Sequence, residues 1–163
     1  MNRPKQRFAT HVITRLALGP VSLVLALGGV ATAAPAAADM RQAEQVYRKV
    51  IDAETKLAKA LTAKDGRAIA AVADGLGPII EGAMARQKAG QKASSCELAA
   101  HSLAFLAVSA AGSLTYTGEA KRLLLGDART AASNFKTDVI ACEGYVGQKS
   151  GNHTSVEKAL RAL

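Results

Sequence analysis

From Asp39 onward, apolar residues return every three or four positions, the spacing that places side chains on one face of an α-helix. Between Asp39 and Ala63 the stripe runs through Ala43, Val46, Tyr47, Val50, Ile51, Leu57, Ala58 and Leu61. Arg41, Arg48, Lys49, Asp52, Lys56 and Lys59 lie mostly off it, so the segment predicts an amphipathic helix. Glu54 interrupts this stripe, an acid where the period calls for an apolar side chain.

Lys64-Asp65-Gly66 ends the first helix, and Asp65 can cap the next one. There Ala68, Ile69, Val72, Leu76, Ile79, Ile80, Ala83 and Met84 keep the period. Gly75, Gly77 and Pro78 disturb it; proline removes a backbone donor and clashes with the preceding turn, so a kinked second helix or two short helices are expected. After a polar loop, Ser94 and Glu97 form a capping box opening a third helix. From Leu98 to Leu114 that helix is apolar almost all round, which predicts the central and most buried element.

Thr115 to Gly118 links it to a long fourth helix whose buried side is expected at Ala120, Leu124, Ala128, Ala131, Phe135, Val139, Cys142 and Val146. Asp127 sits beside that stripe. Thr154 and Glu157 suggest a second capping box, opening a short terminal helix that docks through Val156, Leu160 and Leu163. The expected fold is all-α: an antiparallel four-helix-bundle-like domain with a kinked second helix, a short C-terminal helix and one disulfide. Alanine is abundant on the apolar stripes, and each alanine buries little area, so the core should be thin.

The first 38 residues have a different character. Arg3, Lys5, Arg7 and Arg15 precede an uncharged stretch, Leu16 to Val30, which falls short of the roughly 20 residues a membrane-crossing helix needs. Ala36 and Ala38 then occupy the small-residue positions of an A-x-A cleavage site. Residues 1–38 are therefore expected to be a cleaved signal peptide and residues 39–163 a single helical domain, periplasmic or secreted, with no stable membrane insertion after cleavage. Four of the 21 basic residues belong to the signal and all 13 acidic residues do not, which lowers the net charge from +8 to +4. With dispersed lysines, scarce aromatics and no groove-entering motif, no nucleic acid is expected as a partner.

Export changes the reading of Cys96 and Cys142, because an oxidising compartment converts thiol pairs into disulfides. Two cysteines allow one intramolecular pairing, and antiparallel third and fourth helices would bring them together. Counting from the link, Cys142 overshoots Cys96 by six residues, roughly 9 Å of helix. The spacing excludes a C-x-x-C redox centre or a zinc knuckle.

Other chemistry is sparse. Glu97 and His101 share a helix side at i and i+4, and with Met84 they outline a weak candidate site for a metal, haem or other small ligand between helices. Glu97 already serves the capping box, and a zinc site needs more protein ligands. His11 belongs to the signal, and His153 lies in a flexible-looking Gly-Asn-His-Thr segment. A buried Glu54 with a raised pKa could act as a general acid, as in polysaccharide-cleaving enzymes, but it lacks a paired carboxylate in the sequence pattern. Serine-nucleophile and phosphate-loop motifs are missing. No catalytic residue, no resident cofactor and no metal site are expected. The leading expectation is a non-enzymatic binding or interaction protein acting on another exported protein; the alternative is a small-ligand carrier using the region of His101.

Overall fold

A computed structural model describes residues 37–163. Within them the chain forms five helices: α1 (Ala37–Thr62), α2 (Gly66–Lys88), α3 (Ser95–Thr115), α4 (Gly118–Val146) and α5 (Ser155–Leu160). Most of the expected signal peptide lies outside the described residues, and the expected cleavage point after Ala38 falls in the first turn of α1. No strand occurs among the described residues.

The helix starts follow local chemistry. Asp65 caps α2 by accepting from the Ala68 amide at 3.0 Å. At α3 both halves of the capping box form: the Glu97 amide donates to Ser94 Oγ at 3.3 Å, and the Ser94 amide donates to Glu97 Oε2 at 2.9 Å. The second expected box does not form. The Thr154 hydroxyl donates to Asn152 Oδ1 and Glu157 pairs with Arg161 instead, because Thr154 already has helical backbone angles rather than the extended ones a cap requires. Gly147 ends α4 in the left-handed region, with φ 68°, where a side chain would be strained.

Of the two outcomes expected at Pro78, a division into two short helices does not occur. Helix α2 runs uninterrupted from Gly66 to Lys88. Pro78 and Asp74 are both exposed, so the turn that loses a backbone hydrogen bond to the proline lies at the surface of the domain.

Helix α3 packs against α1, α2 and α4, which makes it the structural axis of the domain. The two helices adjacent to it in sequence, α2 and α4, run antiparallel to it: Arg86 of α2 meets Glu97, and Gly66 approaches Leu114. On the other side, Cys96 meets Cys142, Ser102 meets Asp138 and Gly112 meets Leu124. These three pairs are symmetric about Glu119 to within a residue. The first turn of α4 therefore belongs to the corner between helices, and this removes the expected overhang. The Cys96–Cys142 disulfide forms with Cα atoms 4.7 Å apart.

The core is one cluster that includes Val50, Leu57 and Leu61 of α1, Ile69 and Leu76 of α2, Leu103 and Leu106 of α3, Phe135 and Val139 of α4, and Val156 and Leu160 of α5. On α4, Leu125 takes the buried place expected of Leu124, and Ala120 is exposed. The central helix is less enclosed than its composition predicts. Both α2 and α3 are long and apolar enough to cross a membrane by length and composition, yet α3 buries only 50% of its most apolar window and α2 17%. Three helices surround α3 on part of its circumference, and hydropathy alone does not say which part.

Candidate functional site

The residues suggested as a ligand cluster do not converge. His101 is exposed on α3 and makes no hydrogen bond to another described residue. Met84 is exposed on α2. Glu97 is buried, but its carboxylate is taken by the Ser94 amide and by an ion pair with Arg86. A cavity of about 260 Å³ surrounds that pair, and neither His101 nor Met84 lines it. No group of three or more metal-capable side chains exists among the described residues.

Glu54 is buried, and its partner is a histidine the sequence did not single out. His153 lies inside the domain rather than in a flexible segment, which corrects the reading of Gly-Asn-His-Thr. Its Nδ1 is 2.7 Å from Glu54 Oε2, and its Nε2 is 3.1 Å from Glu143 Oε1. Ser155 Oγ donates to the second Glu54 oxygen at 2.9 Å. Glu143 Oε1 also accepts from the Tyr47 hydroxyl at 3.1 Å and from the Ser150 amide at 2.6 Å. Tyr47 and Glu54 are seven residues apart on one face of α1, Glu143 comes from α4, and Ser150, His153 and Ser155 come from the tail. The docking of α5 thus closes a polar clasp between the first and last helices.

The electrostatics follow from that closure. Burial opposes charge on His153, but hydrogen bonds and the charges of Glu54 and Glu143 outweigh it and raise the imidazole pKa above its ordinary value. Burial likewise opposes charge on Glu143, yet the Ser150 amide, His153 and Tyr47 hold its pKa below the usual carboxylate value. Burial, followed by the adjacent Glu143, raises the Tyr47 hydroxyl. With an imidazolium donating from both nitrogens, every polar group in the cluster is occupied, and no buried side-chain nitrogen or oxygen among the described residues lacks a partner.

This geometry suits anchoring rather than catalysis. The two ring nitrogens point to different carboxylates, so one ion cannot bind all three groups. Both Glu54 oxygens are engaged, one by the buried His153 and the other by Ser155. His153 itself has φ 51°, a left-handed conformation uncommon for a side-chain-bearing residue, held by its two hydrogen bonds. The one signal in the sequence is Glu54 itself, an acid on an apolar stripe; nothing local marks His153 as its partner.

The strongest recognition feature is on the opposite kind of surface. Leu98, Phe105 and Val108 are 44%, 50% and 59% exposed on α3, and His101 lies between them. The spacings of three, four and three place these side chains in one stripe along the helix. Between Leu98 and Thr115 the helix carries no Lys, Arg, Asp or Glu. Because Arg86 reaches Glu97, Met84 of α2, 52% exposed, is level with the first turn of α3. Large exposed apolar side chains on adjoining helices are characteristic of interaction surfaces. No protein-family model matches the chain, and neither a curated protein nor a solved structure matches it, so the functional reading rests on these residues.

Proposed function

We propose that this chain is an exported, non-enzymatic interaction protein that docks another exported protein on the apolar face of α3. The observation that carries this reading is the charge-free stripe of Leu98, Phe105 and Val108 left half exposed on a helix otherwise central to the core. An aromatic flanked by aliphatic side chains, with charge kept away, has the composition of the desolvated centre of an interface. Phe105 is the anchor at its middle. A partner offering an apolar groove, or an amphipathic helix of its own, matches a stripe read at i, i+7 and i+10. The basic start, short apolar stretch and A-x-A site of residues 1–38 support export, as does a structural disulfide in a small domain.

Site-specific photo-crosslinking in cells that export the protein tests the reading. A photoreactive side chain at Phe105 should give one discrete protein adduct, and the same group at exposed Arg129 on α4 should not. Val108→Asp should abolish the adduct while leaving the folded domain intact. Equal, diffuse crosslinking from both positions would remove the proposal.

A further inference from the structure

A second surface differs from the α3 face in shape and in charge. Between α1 and α2 runs an open groove of about 700 Å³, a volume typical of small-molecule sites. Its walls are made of small side chains: Ala53, Ala60 and Ala63 on one side, Ala68, Ala71 and Gly75 on the other. Val72 and Leu76 also line it. Packed helices ordinarily fill such a seam by interdigitating larger side chains. Here a Cβ added at Gly75 would meet nothing within 4 Å, so the space is unfilled rather than tightly closed.

The α1 edge of the groove is basic. Lys49, Lys56 and Lys59 line it at i, i+7 and i+10. Lys56 is paired with Asp52 at 2.6 Å. Lys49 and Lys59 have no acidic partner among the described residues. Ten residues separate them, roughly 15 Å along the helix. Lysine stems lie along apolar surface while their ammonium groups stay in water, so each can receive an anionic head group at the lip of an apolar trough. The ammonium is a flexible point charge, suited to a carboxylate whose tail sets its own position.

We propose that the α1–α2 seam binds a long-chain carboxylate, its alkyl tail on the alanine and glycine walls and its head group held by Lys49 or Lys59. Asp65 also lines the groove, its carboxylate engaged by the Ala68 amide at the α2 cap, so the charge without an acidic partner is that of Lys49 and Lys59. With no large anchor side chain on the walls, this favours an anionic amphiphile over a partner helix. This site is independent of the α3 face and remains if docking there fails.

Titration calorimetry on the full chain, disulfide intact, with dodecanoate below its micelle concentration provides the test. One dodecanoate should bind per chain, about fivefold tighter than dodecyltrimethylammonium, the discrimination that one partly exposed ion contact supplies. The Lys49→Gln/Lys59→Gln double variant should lose that preference. Gly75→Leu should abolish binding without lowering the melting temperature, and Ala71→Leu provides a second way of filling the trough. Equal affinity for the two amphiphiles overturns the proposal. So does unchanged binding in both filled variants, or loss of binding in Phe105→Asp, which would place the ligand on α3.

Discussion

The interior end of this domain and its outer apolar face reverse the usual distribution of residues. At one place two glutamates, a histidine and a tyrosine are buried; at the other a leucine, a phenylalanine and a valine are left in water. The difference lies in what each group requires. A buried charge is tolerable when it is paired and hydrogen-bonded, and α1, α4 and the tail together supply those partners. An exposed apolar side chain violates no such rule; it only leaves hydrophobic stabilisation unused until something covers it. The clasp is therefore complete within the chain, whereas the α3 face is left uncovered by it and is the face we propose a second molecule covers.

The two regions can be separated by perturbation, beginning with the disulfide that joins the clasp end of α4 to the start of α3. Replacing Cys96 and Cys142 with serine should cost about 4 kcal/mol in denaturant unfolding, the chain-entropy value for a loop of this length. Glu97 and Glu143 each follow a bridged cysteine, so both buried ion pairs should loosen together in that variant. Amide exchange at Ser94 and Ser150 would reveal it.

His153→Ala should cost about 3 kcal/mol near pH 6, the lower end for stranding a buried charge, because the Ser150, Tyr47 and Ser155 donors remain. Its cost should shrink as pH rises. The folded-state pKa of His153 is above its ordinary 6.5, so its stabilisation is complete below about pH 6.5 and is lost as pH rises through the folded value. For Glu143 the folded pKa is below 4.5, so its contribution is complete above about pH 4.5 and is lost as pH falls through that lower value. Together they place the clasp's greatest stabilisation between about pH 4.5 and 6.5. Melting temperatures from pH 4 to 9 should decline on the alkaline side in the parent chain and flatten in His153→Ala; parallel profiles would show that His153 is not the titrating anchor.

Smaller effects are expected outside the clasp. Gly75→Ala in the exposed interior of α2 should stabilise the domain by about 1 kcal/mol, because alanine is the better helix former and the added methyl meets no neighbour. Phe105→Asp should change stability by less than about 0.5 kcal/mol, as surface substitutions usually do, while eliminating partner crosslinking. If it instead destabilises strongly, Phe105 belongs to the core and the contrast between the two regions collapses.

Local features were readable before any tertiary contact was known. The capping pair Ser94 and Glu97 lies within one turn, Asp65 caps its own helix, and two cysteines leave one intramolecular pairing. Glu54 was visible as an acid out of place. His153 was not, because its partners Glu54 and Glu143 are 99 and 10 residues away, and a Gly-Asn-His-Thr segment looks the same whether it is anchored or loose. Glu143 escaped notice for a related reason: it lies next to the buried stripe of α4 and is enclosed only when the tail folds over it.

The uniform hydropathy of α3 had the opposite effect, suggesting burial on all sides. Periodicity identifies a face only where polar and apolar positions alternate; between Leu98 and Leu114 it has no direction. By itself the sequence determined the helices, most of their limits and the covalent staple, because these depend on neighbours within a few residues or on a unique pairing. Only the tertiary structure decided which side of α3 remained bare and which charge met Glu54, because helix orientation and the docking of the tail determine both.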